Sequence, residues 1–236
     1  MKAKLAVAPV KQLSMDRVVA ERIRNAITKG TFRPGSRLTE ANLAETLAVS
    51  RGTVRAGLHR LLSEGLVVLR PYSGWHVPTL DARDAWELYT LRGCLEPLAS
   101  RLAAENINDE NVEMLMAAFK KLKAAVKHAD DKEITDADLA IHKTIVALAG
   151  HKRLAAHYEL VEQQVQIYIA SSNAMLKKRT QVVENHRALV EAICAGKPKI
   201  AERLAREHGV RAASELFQIL TTERSDFAMT GVNAKF

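Results

Sequence analysis

The strongest constraint on this 236-residue chain is where its helix breakers fall. Of six prolines, four precede residue 79 and only Pro97 and Pro198 follow it. The long remainder is rich in Ala and Leu, and its apolar residues recur at spacings of three and four, the mark of amphipathic helices. Six helices are predicted there, over 81–106, 109–128, 131–149, 152–178, 180–195 and 198–222. Gly150 and Gly196 stop two of them, and Pro198 suits the first turn of the last. Pro97 falls inside the first helix, where its missing N–H leaves the Gly93 carbonyl without its helical donor and predicts a kink beside Arg92. Residues 223–236 are expected to form a mobile tail.

Before residue 79 the pattern changes. Leu13 to Lys29 predicts one amphipathic helix with Val18, Val19, Ile23 and Ile27 inward. A short helix from Thr39 to Ala48 follows, then a Val49-Ser50 turn. Ser50 is a good N-cap for a helix running to Glu64, with Val54, Leu58, Leu61 and Leu62 as its buried stripe. Arg51, Arg55 and His59 recur every four residues on another face. Two short strands, around Leu66–Leu69 and Trp75–Val77, flank a turn at Ser73-Gly74. Helix, helix-turn-helix and hairpin is a winged helix in outline. A helix of this width fits the major groove, and arginines near its N-terminus can pair with guanine O6 and N7.

Charge follows the same division. Net charge is +8, yet residues 1–78 hold 13 Lys+Arg against five Asp+Glu, whereas the rest is balanced at 22 each. A basic module joined to a neutral one points to duplex DNA as partner of the first. No run approaches roughly 18 apolar residues and Met1 to Val10 lacks an apolar core, so neither membrane insertion nor secretion is expected, and the expected location is the cytoplasm. Cys94 and Cys194 cannot build a disulfide framework and are expected as small buried hydrophobes in a reducing compartment.

The neutral two-thirds carries a candidate metal site. Asp138 and His142, four apart on one helix, share a face flanked by Leu139, Ile145 and Val146. His186 and His208 are equidistant from the Gly196-Lys197-Pro198 turn, so an antiparallel pair of helices sets them side by side, each about 15 Å along its helix. One carboxylate and three imidazoles suit Zn²⁺, Ni²⁺, Mn²⁺ or Co²⁺, with positions left for water or a ligand. Taken singly, each histidine could instead be an ordinary core residue.

Two stretches carry a family resemblance. PG at 34–35, L-T-E at 38–40, V-S-R at 49–51, T-V-R at 53–55 and EGL at 64–66 resemble the N-terminal domain of GntR-type bacterial transcription regulators. That resemblance implies DNA contacts by Ser50, Arg51, Thr53 and Arg55, with the wing around Gly74 approaching the minor groove. The chain departs from the family pattern at Gly52 and at Ala56-Gly57; Gly57 should cost about 1 kcal/mol of helix propensity relative to Ala. The helical part is similar to the FCD ligand-binding domain of FadR-like members, six or seven antiparallel helices. There the positions matching Asp138, His142, His186 and His208 hold a divalent metal, zinc foremost. Arg92, opening an R-x-x-x-E element with Glu96, matches an arginine that meets an effector carboxylate; a structural salt bridge is the alternative.

The resulting expectation is a mainly α protein of two domains, 10–78 and 79–222. It is a homodimeric, metabolite-responsive repressor or activator on a palindromic operator, with a small carboxylic acid as effector. Two alternatives stay open: a metalloenzyme, which lacks an HExxH element or an assignable general base, and a purely structural metal. His151, where the family usually has Asn, could lie at the surface or near the pocket.

Overall fold

The structure, a computed structural model, describes residues 14–79, 82–128, 131–172 and 179–230. It divides into two compact units, Met1–Pro78 and Thr79–Phe236.

The first unit contains α1 (Met15–Thr28), β1 (Arg37–Leu38), α2 (Glu40–Leu47), α3 (Arg51–Ser63), β2 (Val68–Arg70) and β3 (Gly74–His76). Side-chain oxygens start the middle helices. Thr39 accepts from the Asn42 N–H, and Ser50 accepts from the Thr53 N–H at 3.1 Å, satisfying amides that a helix start leaves unpaired. Ala48 closes α2 in the left-handed region at φ 53°, which sets the sharp turn into α3. Val19, Ile23 and Ile27 of α1 meet Val54, Leu58 and Leu61 of α3 in the core. The antiparallel sheet runs β1-β3-β2, with Trp75 of the central strand opposite Leu38 and Leu69.

Three details differ from expectation. Val18 and Leu62 are exposed, and Ala20 and Gly57 take the inward positions. The reason is a close crossing of α1 and α3. A Cβ on Gly57 would lie 2.9 Å from Val19 Cγ1 and 3.2 Å from both the Ala20 nitrogen and the Asp16 carbonyl oxygen. The hairpin turns through residues 71–73, with fully exposed Tyr72 at φ 60°, and Gly74 already belongs to β3. Finally β1 was not anticipated, since two residues are too few to show a period.

The second unit is α4 (Ala82–Glu105), α5 (Asp109–His128), α6 (Asp131–Leu148), α7 (Lys152–Ser172), α8 (Arg179–Cys194) and α9 (Pro198–Thr230). Its core joins Ala99 and Ala103 of α4 to Leu115, Phe119 and Leu122 of α5, Ile141 and Ile145 of α6, and Leu189 and Ile193 of α8. Helix α4 passes through buried Pro97 as one element rather than ending there. It also crosses α9 closely: a Cβ on Gly209 would lie 3.7 Å from Gly93 Cα. Helix α9 extends to Thr230, so residues 223–230 of the expected tail are helical; 231–236 lie outside the described residues. The predicted end of α7, over 173–178, falls outside them as well. The cysteines correct another expectation, because Cys94 is exposed and Cys194 only half-buried. Cys94 stands on the α4 face that opens to a groove against α9, away from the core.

Candidate metal centre and nucleic-acid interface

Three helices bring the predicted histidines together. His142 on α6, His186 on α8 and His208 on α9 are all buried, and one ring nitrogen from each lies within 4.8 Å of the others. The His186 and His208 ring centroids are 4.5 Å apart. The Gly196 turn, at φ +61°, reverses the chain between their helices as the spacing required. Asp138, one turn before His142, sets Oδ1 3.1 Å from His186 Nε2.

Hydrogen bonding settles which atoms face the centre. His186 Nδ1 lies 2.8 Å from the Val182 carbonyl, which can only accept, so Nδ1 carries the hydrogen. His142 Nδ1 lies 3.1 Å from Glu96 Oε1 and donates in the same way. Both Nε2 atoms therefore present lone pairs, 3.1 Å apart, with a carboxylate oxygen beside them. Ring nitrogens and a carboxylate oxygen converging like this could hold a cation between them. A second ring proton is disfavoured: burial lowers the His186 pKa against the opposing pull of Asp138. His208 lies well below the usual range through burial and its two histidine neighbours. The buried His208 Nδ1 has no hydrogen-bond partner. Neutral imidazoles and a carboxylate are the donor set that Zn²⁺ and its neighbours take.

Sequence reasoning missed the layer behind these ligands. Glu96, on α4 and buried, accepts three hydrogen bonds at Oε1: from Arg92 Nε at 2.6 Å, from the Tyr158 hydroxyl of α7 at 2.7 Å, and from His142 Nδ1. Burial alone would raise its pKa, but Arg92, with His142 and His208, outweighs that and holds the carboxyl well below its ordinary range. Such an outer carboxylate fixes ring tautomer and orientation and makes the coordinating nitrogen more basic. Arg92 is thus buried and already paired, with its guanidinium 5.5 Å from the Tyr89 ring. The i,i+4 spacing of Arg92 and Glu96 was visible in the sequence; Tyr158 carried no signal. His151 is exposed and caps α7, its Nδ1 accepting from the Leu154 N–H at 3.2 Å. His128 and His157 are exposed as well.

In the first unit, Arg51, Arg55 and His59 are exposed along α3. Ser50 and Thr53 share a hydroxyl–hydroxyl bond of 2.8 Å at its start, in addition to the cap. Arg55 is held: its Nε and Nη2 donate to Glu40 Oε1 and Oε2 at 2.9 and 2.8 Å. Glu40 Oε1 also accepts from Trp75 Nε1 at 3.1 Å. His59 meets the Trp75 ring edge-on, with centroids 5.0 Å apart. Gly74, at φ +84°, opens β3, and a Cβ there would meet nothing.

A helix-turn-helix with a β-wing, followed in the same chain by a helical unit with a buried polar centre, is the architecture of a DNA-binding transcription regulator with a second, helical domain. Residues 16–77 match the model of the bacterial regulatory proteins of the gntR family, and residues 87–211 match that of the FCD domain. The chain belongs to the GntR family and carries an FCD domain. It is 31% identical over 211 residues to an uncharacterized HTH-type transcriptional regulator of Mycobacterium tuberculosis, covering 82% of this chain and 86% of the relative. To a probable D-xylose utilization operon transcriptional repressor of Paenarthrobacter nicotinovorans it is 27% identical over 194 residues, with 80% and 85% covered. The solved structure of Escherichia coli McbR/YncC shares the fold, with a TM-score of 0.76 and 23% identity over 88% of this chain and 99% of that one. The relatives are transcription regulators, and this chain is a regulator rather than an enzyme. Among the described residues no helix is long and apolar enough to cross a membrane.

Proposed function

We infer that this chain is a metabolite-responsive regulator whose helical unit holds a divalent cation, Zn²⁺ foremost, on Asp138, His142, His186 and His208. The effector is a small carboxylic acid that completes the coordination of that cation. The observation that carries this reading is the convergence of two imidazole lone pairs and a carboxylate oxygen in a buried pocket where a second ring proton is disfavoured. Arg92, held beside that centre by Glu96, meets the carboxylate of the acid through guanidinium N–H groups that Glu96 does not take. Arg51 and Arg55, with Thr53 and the N-terminus of α3 capped by Ser50, meet the major groove, and the wing at Gly74 approaches the minor groove. The protein works in the cytoplasm as a homodimer on a palindromic operator. Support for dimerisation is a groove of about 690 Å³ between α4 and α9, lined by Trp86, Val210 and Phe217, large apolar side chains left partly exposed.

The test is fluorescence anisotropy of metal-loaded protein on a duplex selected from a random pool, against a panel of small organic acids. At least one acid should change DNA affinity, and chelation or His186→Ala should abolish that response. No response to any acid by metal-loaded protein would refute effector coordination. The pairing of Arg92 with Glu96 favours a second reading, in which the metal only closes the bundle. Under it, chelation lowers thermal stability and no acid binds.

A further inference from the structure

One carboxylate in the DNA-binding unit joins three elements that the family resemblance treats separately. Glu40 is the first residue of α2, Arg55 lies on α3, and Trp75 lies in the central wing strand. Its two oxygens take the Nε–Nη2 edge of the Arg55 guanidinium, and Oε1 also takes the indole N–H. The carboxylate is largely covered, at 20% side-chain exposure, while Arg55 stays 61% exposed. His59, one turn beyond Arg55, packs on the same indole ring.

A guanidinium has five N–H donors in a rigid fork. With Nε and one Nη2 hydrogen taken by Glu40, the Nη1 pair and the second Nη2 hydrogen remain, and these form the end-on face that pairs bidentately with guanine or phosphate. A free arginine on a helix surface samples many rotamers and loses that freedom on binding, whereas one held at its side edge has given it up beforehand. The indole N–H ties this arrangement to the wing, so recognition helix and wing share one anchor.

We propose that Glu40 is a positioning residue for DNA reading: it holds Arg55 for an end-on contact and, through Trp75, fixes the wing relative to that contact. This rests on the DNA-contact role given to Arg55 above. As an acidic group beside DNA, Glu40 contributes nothing favourable to non-specific attraction, so its removal separates reading from electrostatics. An aligned arginine raises affinity for the chosen sequence; a negative charge lowers affinity for every duplex.

The experiment uses the full-length protein and a duplex that the wild type selects from a random pool, with a scrambled duplex of equal length for comparison. Glu40→Ala should weaken binding to the selected duplex about tenfold or more, and leave the scrambled duplex within about twofold or bound more tightly. In an Arg55→Ala background the same substitution should add less than about twofold, the signature of two residues acting through one contact. Trp75→Phe, which keeps the ring and deletes only the N–H, should move the selected duplex in the same direction by less. Glu40→Gln, which retains an acceptor, should fall between wild type and Glu40→Ala and serves if the alanine variant does not fold. Equal weakening on both duplexes, tighter binding to the selected duplex, or an undiminished effect in the Arg55→Ala background would overturn the proposal. If Arg55→Ala alone leaves selected binding intact, the contact role of Arg55 fails instead and takes this proposal with it.

Discussion

Replacing Gly57 by alanine sets two known effects against each other with sizes that decide the sign. In a helix interior, Gly→Ala is favourable by about 1 kcal/mol from propensity. At this position, however, the new methyl would stand 2.9 Å from Val19 Cγ1 and 3.2 Å from two backbone atoms of α1, the Ala20 nitrogen and the Asp16 carbonyl oxygen. A side-chain methyl can rotate away, but backbone atoms of a packed helix cannot, so α1 must shift from α3. Overpacking of this kind costs about 1–3 kcal/mol. The expected outcome is a net loss of about 1 kcal/mol, or about 4–8 °C for a unit of this size. Gly52 is the internal control: a Cβ there meets only Ser50 Oγ at 3.8 Å, so Gly52→Ala should be neutral or stabilising by up to about 1 kcal/mol. The assay is urea unfolding followed by tryptophan fluorescence in a Trp86→Phe background, where Trp75 alone reports on the DNA-binding unit. If Gly57→Ala stabilises that unit as much as Gly52→Ala, the close crossing of α1 and α3 is wrong.

Other outcomes follow from the buried network. Glu96→Ala leaves Arg92 buried without its counter-ion and should destabilise the helical unit by about 3–5 kcal/mol, read as a lower urea midpoint; adding Arg92→Met should recover part of that loss. Tyr158→Phe removes a hydrogen bond to an ionised group and should cost about 1.5–3 kcal/mol in the same assay. Zn²⁺ at about 100-fold its Kd should stabilise chelator-treated protein by about 2.7 kcal/mol, seen as a raised melting temperature, and His208→Ala should remove that gain.

What was legible in the sequence were features that repeat or punctuate. Helical periodicity beyond residue 79 located six helices, and the caps at Ser50 and Gly196 located two turns, because each depends on local chemistry. The symmetry of His186 and His208 about the Gly196 turn brought two rings together on spacing alone. Less legible was anything set by how one helix meets another. Gly57 reads as a propensity cost in the sequence, and only the approach of α1 explains it. Cys94 reads as buried by residue type, yet its position around α4 turns it outward. Tyr158 reaches Glu96 from 62 residues away, a contact no local pattern encodes. The partners of Glu40 lie 15 and 35 residues off, so the Glu of the L-T-E motif was visible while what it holds was not.

Calorimetric titration of Zn²⁺ into chelator-treated full-length protein tests the central claim most directly. The account expects saturable uptake of one ion per chain, with little proton release at neutral pH because burial already keeps His186 and His208 unprotonated, and with the uptake lost in His186→Ala while that variant still binds the selected duplex. Absence of uptake by the wild-type protein, or undiminished uptake by His186→Ala, would contradict it.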